Sequence, residues 1–225
     1  MKNLSQKYLP NVNWEIIKEE TLSTLYMTII TILFVFVIGL ILGTILYLTS
    51  RNNNRLSKWV YVTLSSIINI FRAIPFIILI VLLIPFTKGL IGTMIGPSAA
   101  LPALIIGTSP FYARLVETAL HEVNKGVIEA TKAMGGNQFH LIVKVLIPEA
   151  LPSLVSGLTT TTISLISFTA MAGVVGSGGL GVVAFNQGYK RFHHDVTLVA
   201  TIIILVIVFI VQLIGNKLTR LIDKR

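Results

Sequence analysis

The 225-residue chain has no cysteine, which excludes disulfides and thiolate metal sites. Charge is also scarce: 12% of the residues are Asp, Glu, Lys or Arg, against roughly 25% in an ordinary soluble domain. Acids are the scarcer sign, 9 against 18 basic residues. No Gly-Lys dipeptide occurs, so there is no phosphate-binding P-loop. His-Glu-x-x-His and EF-hand loops are missing, and Ser177 fails G-x-S-x-G because Val175 holds the first glycine position. His193, His194 and Asp195 are consecutive, so on regular structure they diverge instead of converging on a metal. They read as a polar loop, with a metal site or a contact to an external partner as the alternatives. No catalytic constellation can be assembled, and the expectation is a non-enzyme with no metal and no bound cofactor.

Apolar residues are what the chain has in quantity: 54% of the total, with a mean hydropathy of +0.84. That composition belongs to the membrane class. A net charge of +9 alone would suit nucleic acid. The basic residues, however, are scattered through short segments between apolar runs, which is the pattern of positive-inside topology. The expected partner is a lipid bilayer, not nucleic acid.

Charge-free runs predict the organisation. Thr21 to Ser50 lies between Glu20 and Arg51, long enough to cross about 30 Å of hydrocarbon and too long for a signal-peptide core. Further runs predict five spans in one domain covering 1–225, at about 21–49, 60–86, 89–113, 151–174 and 196–216, with a charged loop at 114–149. The expected fold class is all-α, polytopic. Five spans put the termini on opposite sides. With the N-terminus outside, eleven basic residues fall on inner segments, among them Arg51, Arg55, Lys58, Lys132, Lys224 and Arg225. Six fall outside: Lys2, Lys7, Lys18, Lys88, Lys190 and Arg191. The bias favours N-out, C-in.

Arg72 lies inside the second run, three residues before Pro75, which cannot donate to the helix ladder. Two readings stand. The guanidinium serves transport, as intramembrane arginines often do, or it satisfies carbonyls freed at the break or snorkels to the interface. Thr160, Ser164, Ser167 and Met171 follow i, i+4, i+7, i+11 and share one helical face. They line a path, or their hydroxyls bond back to their own helix. Gly39 and Gly43 form G-x-x-x-G, a mark of close helix packing.

The inner loop contains two short helical patterns. Val127, Ala130 and Met134 share a face before Gly135-Gly136, a helix-stop signal. Phe139, Ile142, Val143 and Leu146 make a second apolar face ending near Pro148 and Pro152. The first is either a helix docked in a partner's groove or a connector lying on lipid.

Glu129-Ala130-Thr131, Gly135 after three residues, and Val145-Leu146-Ile147-Pro148 after nine resemble the EAA loop of ABC-importer permeases. Thr131, Val145 and Ile147 depart from that pattern conservatively. The stretches Asn69 to Phe76, Ile84 to Thr87 and Met171 to Gly181 are similar to the methionine-uptake branch, and nearly the whole chain is covered. The resemblance implies a type I importer fold whose permease dimerises and binds two cytoplasmic ATPases, which carry ATP and magnesium. An extracytoplasmic binding lipoprotein would deliver methionine or a methionine derivative. Glu129, Ala130, Ala133, Gly135 and Pro148 would belong to the coupling loop, and Arg72, Thr160, Ser164, Ser167 and Met171 to the translocation path. A self-powered secondary transporter is the alternative; within the predicted bounds no span contains an acid to carry an ion.

Gly176 to Gly181, GSGGLG, matches the dinucleotide fingerprint G-x-G-x-x-G. The context contradicts it. An apolar run precedes it instead of a strand, and the only nearby acid, Asp195, lies fourteen residues on, short of the usual spacing of about 20. Gly176, Gly178, Gly179 and Gly181 are therefore expected to build an outer turn or gate.

Overall fold

The computed structural model describes residues 9–223, and among them all regular structure is helical. Lys2, Lys7, Lys224 and Arg225, four members of the charge count above, lie outside the described residues.

Helix α1 (Trp14–Arg51) is 38 residues long. At about 1.5 Å per residue it exceeds the hydrocarbon thickness, so it projects from the bilayer. It begins before the predicted Thr21 because Asn13 caps it: the amides of Glu15 and Ile16 donate to Asn13 Oδ1 at 3.0 and 3.3 Å.

The second predicted run is broken into α2 (Arg55–Ala73), α3 (Phe76–Leu82) and α4 (Ile84–Ile91). The break follows from Pro75, and its carbonyl restarts the ladder by accepting from the amides of Ile78 and Leu79 at 2.9 and 3.0 Å. Gly92, at φ +83°, then stops α4, its amide donating to Lys88 O at 2.9 Å.

Helix α5 (Pro97–His121) is displaced toward the C-terminus from the predicted 89–113. It starts after the Gly92 stop and continues through Arg114 and Glu117, because those two charges pair with each other. The chain continues with α6 (Lys125–Ala133), a short turn Gln138–His140, a π-helical stretch Leu141–Leu146, and α7 (Ile147–Ala172). A second π stretch (Gly173–Ser177), α8 (Leu180–Val182), a third (Val183–Tyr189) and α9 (His194–Ile222) complete it. Four described helices are long and apolar enough to cross a membrane, or five if α2 and α3 count as one broken span.

The residues group into two compact units. The first takes residues up to Phe34, Ile74–Gly107 and Thr162–Val211. Its core holds Met27, Phe76, Leu104, Leu165 and Ala172, with the Phe76 and Phe168 rings stacked at 4.7 Å. The second takes Val35–Ala73, Thr108–Thr161 and the chain from Gln212. There a Cβ at Gly43 would lie 2.5 Å from both Ala113 O and Val116 Cβ, and one at Gly39 would lie 2.5 Å from the Tyr112 ring. The G-x-x-x-G thus brings α1 against α5, where lipid supplies no hydrophobic drive and close van der Waals packing must hold the pair. Leu205, Phe209 and Leu213 of α9 remain exposed, as a lipid-facing helix requires.

Candidate coupling surface and gate

The candidate coupling segment, α6, is built from its caps. Asn124 starts α6, its side chain accepting from Gly126 N at 2.8 Å. At the other end Gly135 N donates to Lys132 O and Gly136 N to Thr131 O, both at 3.0 Å. That is a Schellman closure around Gly135 in the left-handed region at φ +80°. Ile128 and Thr131 are buried, fixing the helix to its own unit. Glu129, Ala130, Lys132 and Ala133 are exposed, and Met134 is 81% exposed. Alanines on that face leave room for another backbone. Pro148 is exposed just inside the start of α7.

The second apolar face was expected at Phe139, Ile142, Val143 and Leu146. Phe139 is instead 73% exposed, and the buried positions are Leu141 and Leu146. The spacing of five is the signature of the π stretch, whose i→i+5 ladder shifts the buried stripe off an α period.

In the other unit, Gly176, Gly178 and Gly179 adopt φ of +105°, +80° and +89° and break the helical path after Ser177. The turn brings Gly181 against α7 so closely that a Cβ there would sit 2.2 Å from Ala170 O. Two backbones in contact exclude any side chain at that position. The turn is held from outside itself. Gly179 N donates to the Glu20 carboxylate, Leu180 N to Thr24 Oγ1 at 2.9 Å, and Gly96 N to Gly176 O at 3.0 Å. Glu20, which the sequence reading left without a role, is thus an anchor of the glycine turn.

Ser167 and Met171 of α7 are exposed and Ser164 is half-buried; Thr160, also exposed, donates back to Ser156 O at 3.1 Å. Thr160 thus makes the expected bond back to its own helix, and its side chain remains exposed.

Arg72 is exposed and makes no hydrogen bond or ion pair with a described residue. It does not satisfy the carbonyls at the Pro75 break. The polar network of this region belongs to Arg114, which donates to Glu117 at 2.6 Å, to Asn69 Oδ1 at 3.1 Å and to the Ser65 hydroxyl. Glu117 is only 6% exposed. A carboxylate therefore does sit within a spanning helix, beyond the end predicted for that span. It is committed to Arg114 and is no free ion carrier.

Asp195 accepts from Asn11 N at 2.9 Å and from the Asn11 side chain at 3.2 Å. Slight burial pushes its carboxyl up, but the Asn11 bonds and those from the Val196 and Asp195 amides outweigh it and hold the group below the usual carboxylate value. No metal-ligating cluster exists among the described residues, and Asp195, in the first turn of α9, clasps Asn11.

Residues 37–225 match the family model of binding-protein-dependent transport system inner membrane components. The methionine import system permease protein MetP of Bacillus subtilis is 57% identical over 98% of this chain and 99% of its own length. The probable D-methionine transport system permease protein MetI of Pasteurella multocida is 42% identical over 94% of this chain and 98% of that protein. Among solved structures, an inward-facing conformation of the MetNI methionine ABC transporter superposes with a TM-score of 0.90. It is 42% identical and covers 94% of this chain and 98% of that one.

Proposed function

The chain belongs to the family of binding-protein-dependent transport system inner membrane components, and from that premise we propose that it conducts methionine as the permease subunit of an ATP-driven importer. The subunit is non-catalytic; hydrolysis belongs to a separate ATPase. The observation that carries the reading is α6: a helix capped at both ends, anchored by Ile128 and Thr131, presenting Glu129, Ala130 and Ala133 outward. A capped helix with a small-residue face is what a groove in a partner can receive.

The assembly is a permease homodimer with two cytoplasmic ATPases that hold ATP and magnesium, fed by an extracytoplasmic binding lipoprotein. The N-terminus lies outside and the C-terminus in the cytoplasm, an orientation supported by the basic residues of the α1–α2 connection and the coupling segment. Thr160, Ser164, Ser167 and Met171 line the path beside the dimer axis, and Arg72, unpaired among the described residues, serves transport as well. The turn from Gly176 to Gly181 is the outer gate, supported by its three positive-φ glycines and its anchors on α1.

Co-purification tests the assembly. The chain should recover its ATPase from membranes in detergent, and Ala130→Trp, placing an indole on the docking face, should lose it. Retention of the ATPase by Ala130→Trp, or its absence from the unmodified chain, overturns the reading.

A further inference from the structure

A cavity of about 550 Å³ opens where the end of α1, the start of α2 and the coupling segment meet, all within one unit. Its polar lining includes Tyr47, Thr49, Arg51, Asn52, Lys132 and Gln138, and no carboxylate lines it. Arg51 is held in place: Nη1 donates to the Tyr47 hydroxyl at 2.8 Å, and its guanidinium lies 5.7 Å over the Tyr47 ring. Tyr47 is itself buried and packs edge-on to His121 at 4.9 Å. The remaining guanidinium N–H groups donate to no described residue. The Lys132 ammonium makes no hydrogen bond or ion pair with a described residue. Two cations and several neutral donors around an acid-free hollow are complementary to an anion with many acceptor oxygens.

We propose that this cavity binds the phosphate headgroup of an anionic phospholipid, joining the end of α1 to the coupling helix through Arg51 and Lys132. The cavity is far larger than a free phosphate and falls in the range of about 300–1,000 Å³ usual for sites of small organic ligands. Leu48, Ile128 and Leu141 supply apolar wall beside the cations. Leu56 and Trp59, flanking Ser57 in α2, are 70% and 72% exposed, as expected where side chains meet the bilayer interface. A headgroup with attached acyl chains uses both kinds of surface, and a soluble anion uses only one. The bound headgroup puts a charge-assisted bridge on Lys132, one residue from Thr131 and three from the Gly135 cap, and so stiffens the element that docks the ATPase. The inference rests on the reading of α6 as the coupling helix.

The test uses the assembled transporter in bilayer discs of phosphatidylcholine, alone or with one part in four phosphatidylglycerol, and counts retained lipid by native mass spectrometry. The unmodified complex should retain phosphatidylglycerol. Arg51→Gln should retain it about fivefold more weakly, the effect of one cation near an anionic surface. Arg55→Gln, which removes an equal charge from a neighbour that does not line the cavity, should match the unmodified protein. Equal retention by Arg51→Gln and the unmodified complex overturns the proposal, as does equal loss in Arg51→Gln and Arg55→Gln. In phosphatidylcholine alone, inorganic phosphate should not raise the complex's thermal stability; a rise lost in Arg51→Gln would assign the site to a soluble anion instead. Failure of the ATPase to assemble would be seen before any lipid is counted, and it refutes the coupling reading, not this one.

Discussion

Gly135 closes α6, the proposed coupling helix, at φ +80°, and a Cβ built there meets nothing within 4 Å. Its requirement is therefore purely conformational, which allows its size to be worked out. An L-residue other than glycine in the left-handed region costs about 1–2 kcal/mol, with Asn among the most tolerant. Gly135→Ala should lower the population of the closed cap by about fivefold to thirtyfold, at tenfold per 1.4 kcal/mol. Gly135→Asn should lose much less. The global fold should survive both, because the cap lies at an exposed helix end. The assay is methionine uptake per ATP hydrolysed in proteoliposomes, with thermal unfolding as the control. Gly135→Ala should hydrolyse ATP with reduced uptake, and Gly135→Asn should fall between it and the unmodified protein. Gly135→Asp keeps a tolerant backbone but adds a carboxylate to the docking face, so it should assemble and uncouple. Unchanged coupling in Gly135→Ala, or Asn performing no better than Ala, would refute the conformational reasoning.

At the glycine turn proposed as the gate, Glu20→Ala removes the acceptor of Gly179 N and should lower uptake severalfold, whereas Glu20→Gln keeps a carbonyl acceptor and should retain most of it; equal effects would show that the bond does not hold the turn. Gly43→Leu forces a side chain into atoms already 2.5 Å from a Cβ and should cost about 1–3 kcal/mol, read as a lower unfolding temperature of the purified chain; no change would contradict the α1–α5 contact. The folded-state pKa of Asp195 lies below its unfolded value, so the stability it contributes is present above the usual carboxylate range and lost as pH falls through the folded value. The protection factor of the Asn11 amide against hydrogen exchange should therefore fall on acidification, and Asn11→Ala, which removes the side-chain bonds and keeps the backbone donor, should weaken the pH effect at the start of α9. For orientation, the absence of cysteine makes single thiols clean probes: Asn53→Cys should label only from the cytoplasmic side and Lys190→Cys only from outside.

What could be read in the sequence was whatever depends on near neighbours. The coupling helix needs only its cap residues and an alternation of small and apolar positions, all within thirteen residues from Asn124 to Gly136. The glycine turn was legible as a break for the same reason. Its anchors were not: Glu20 and Thr24 lie more than 150 residues away in the chain, and no local pattern marks them. The Arg114–Glu117 pair was missed because a span boundary was drawn at the first charge, on the premise that charges leave the bilayer. A pair bonded to Ser65 and Asn69 does not have to leave. Leu146 was found by the α-period search and Leu141 escaped it, because the backbone there turns with a π repeat.

The central claim is that this chain carries methionine at the expense of ATP hydrolysed by a partner. The most direct measurement is uptake of labelled methionine by vesicles containing the permease, its ATPase and its binding lipoprotein. Uptake should require ATP and all three components, and should persist when proton and sodium gradients are collapsed. Uptake by the permease alone that follows an ion gradient and ignores ATP would contradict the account.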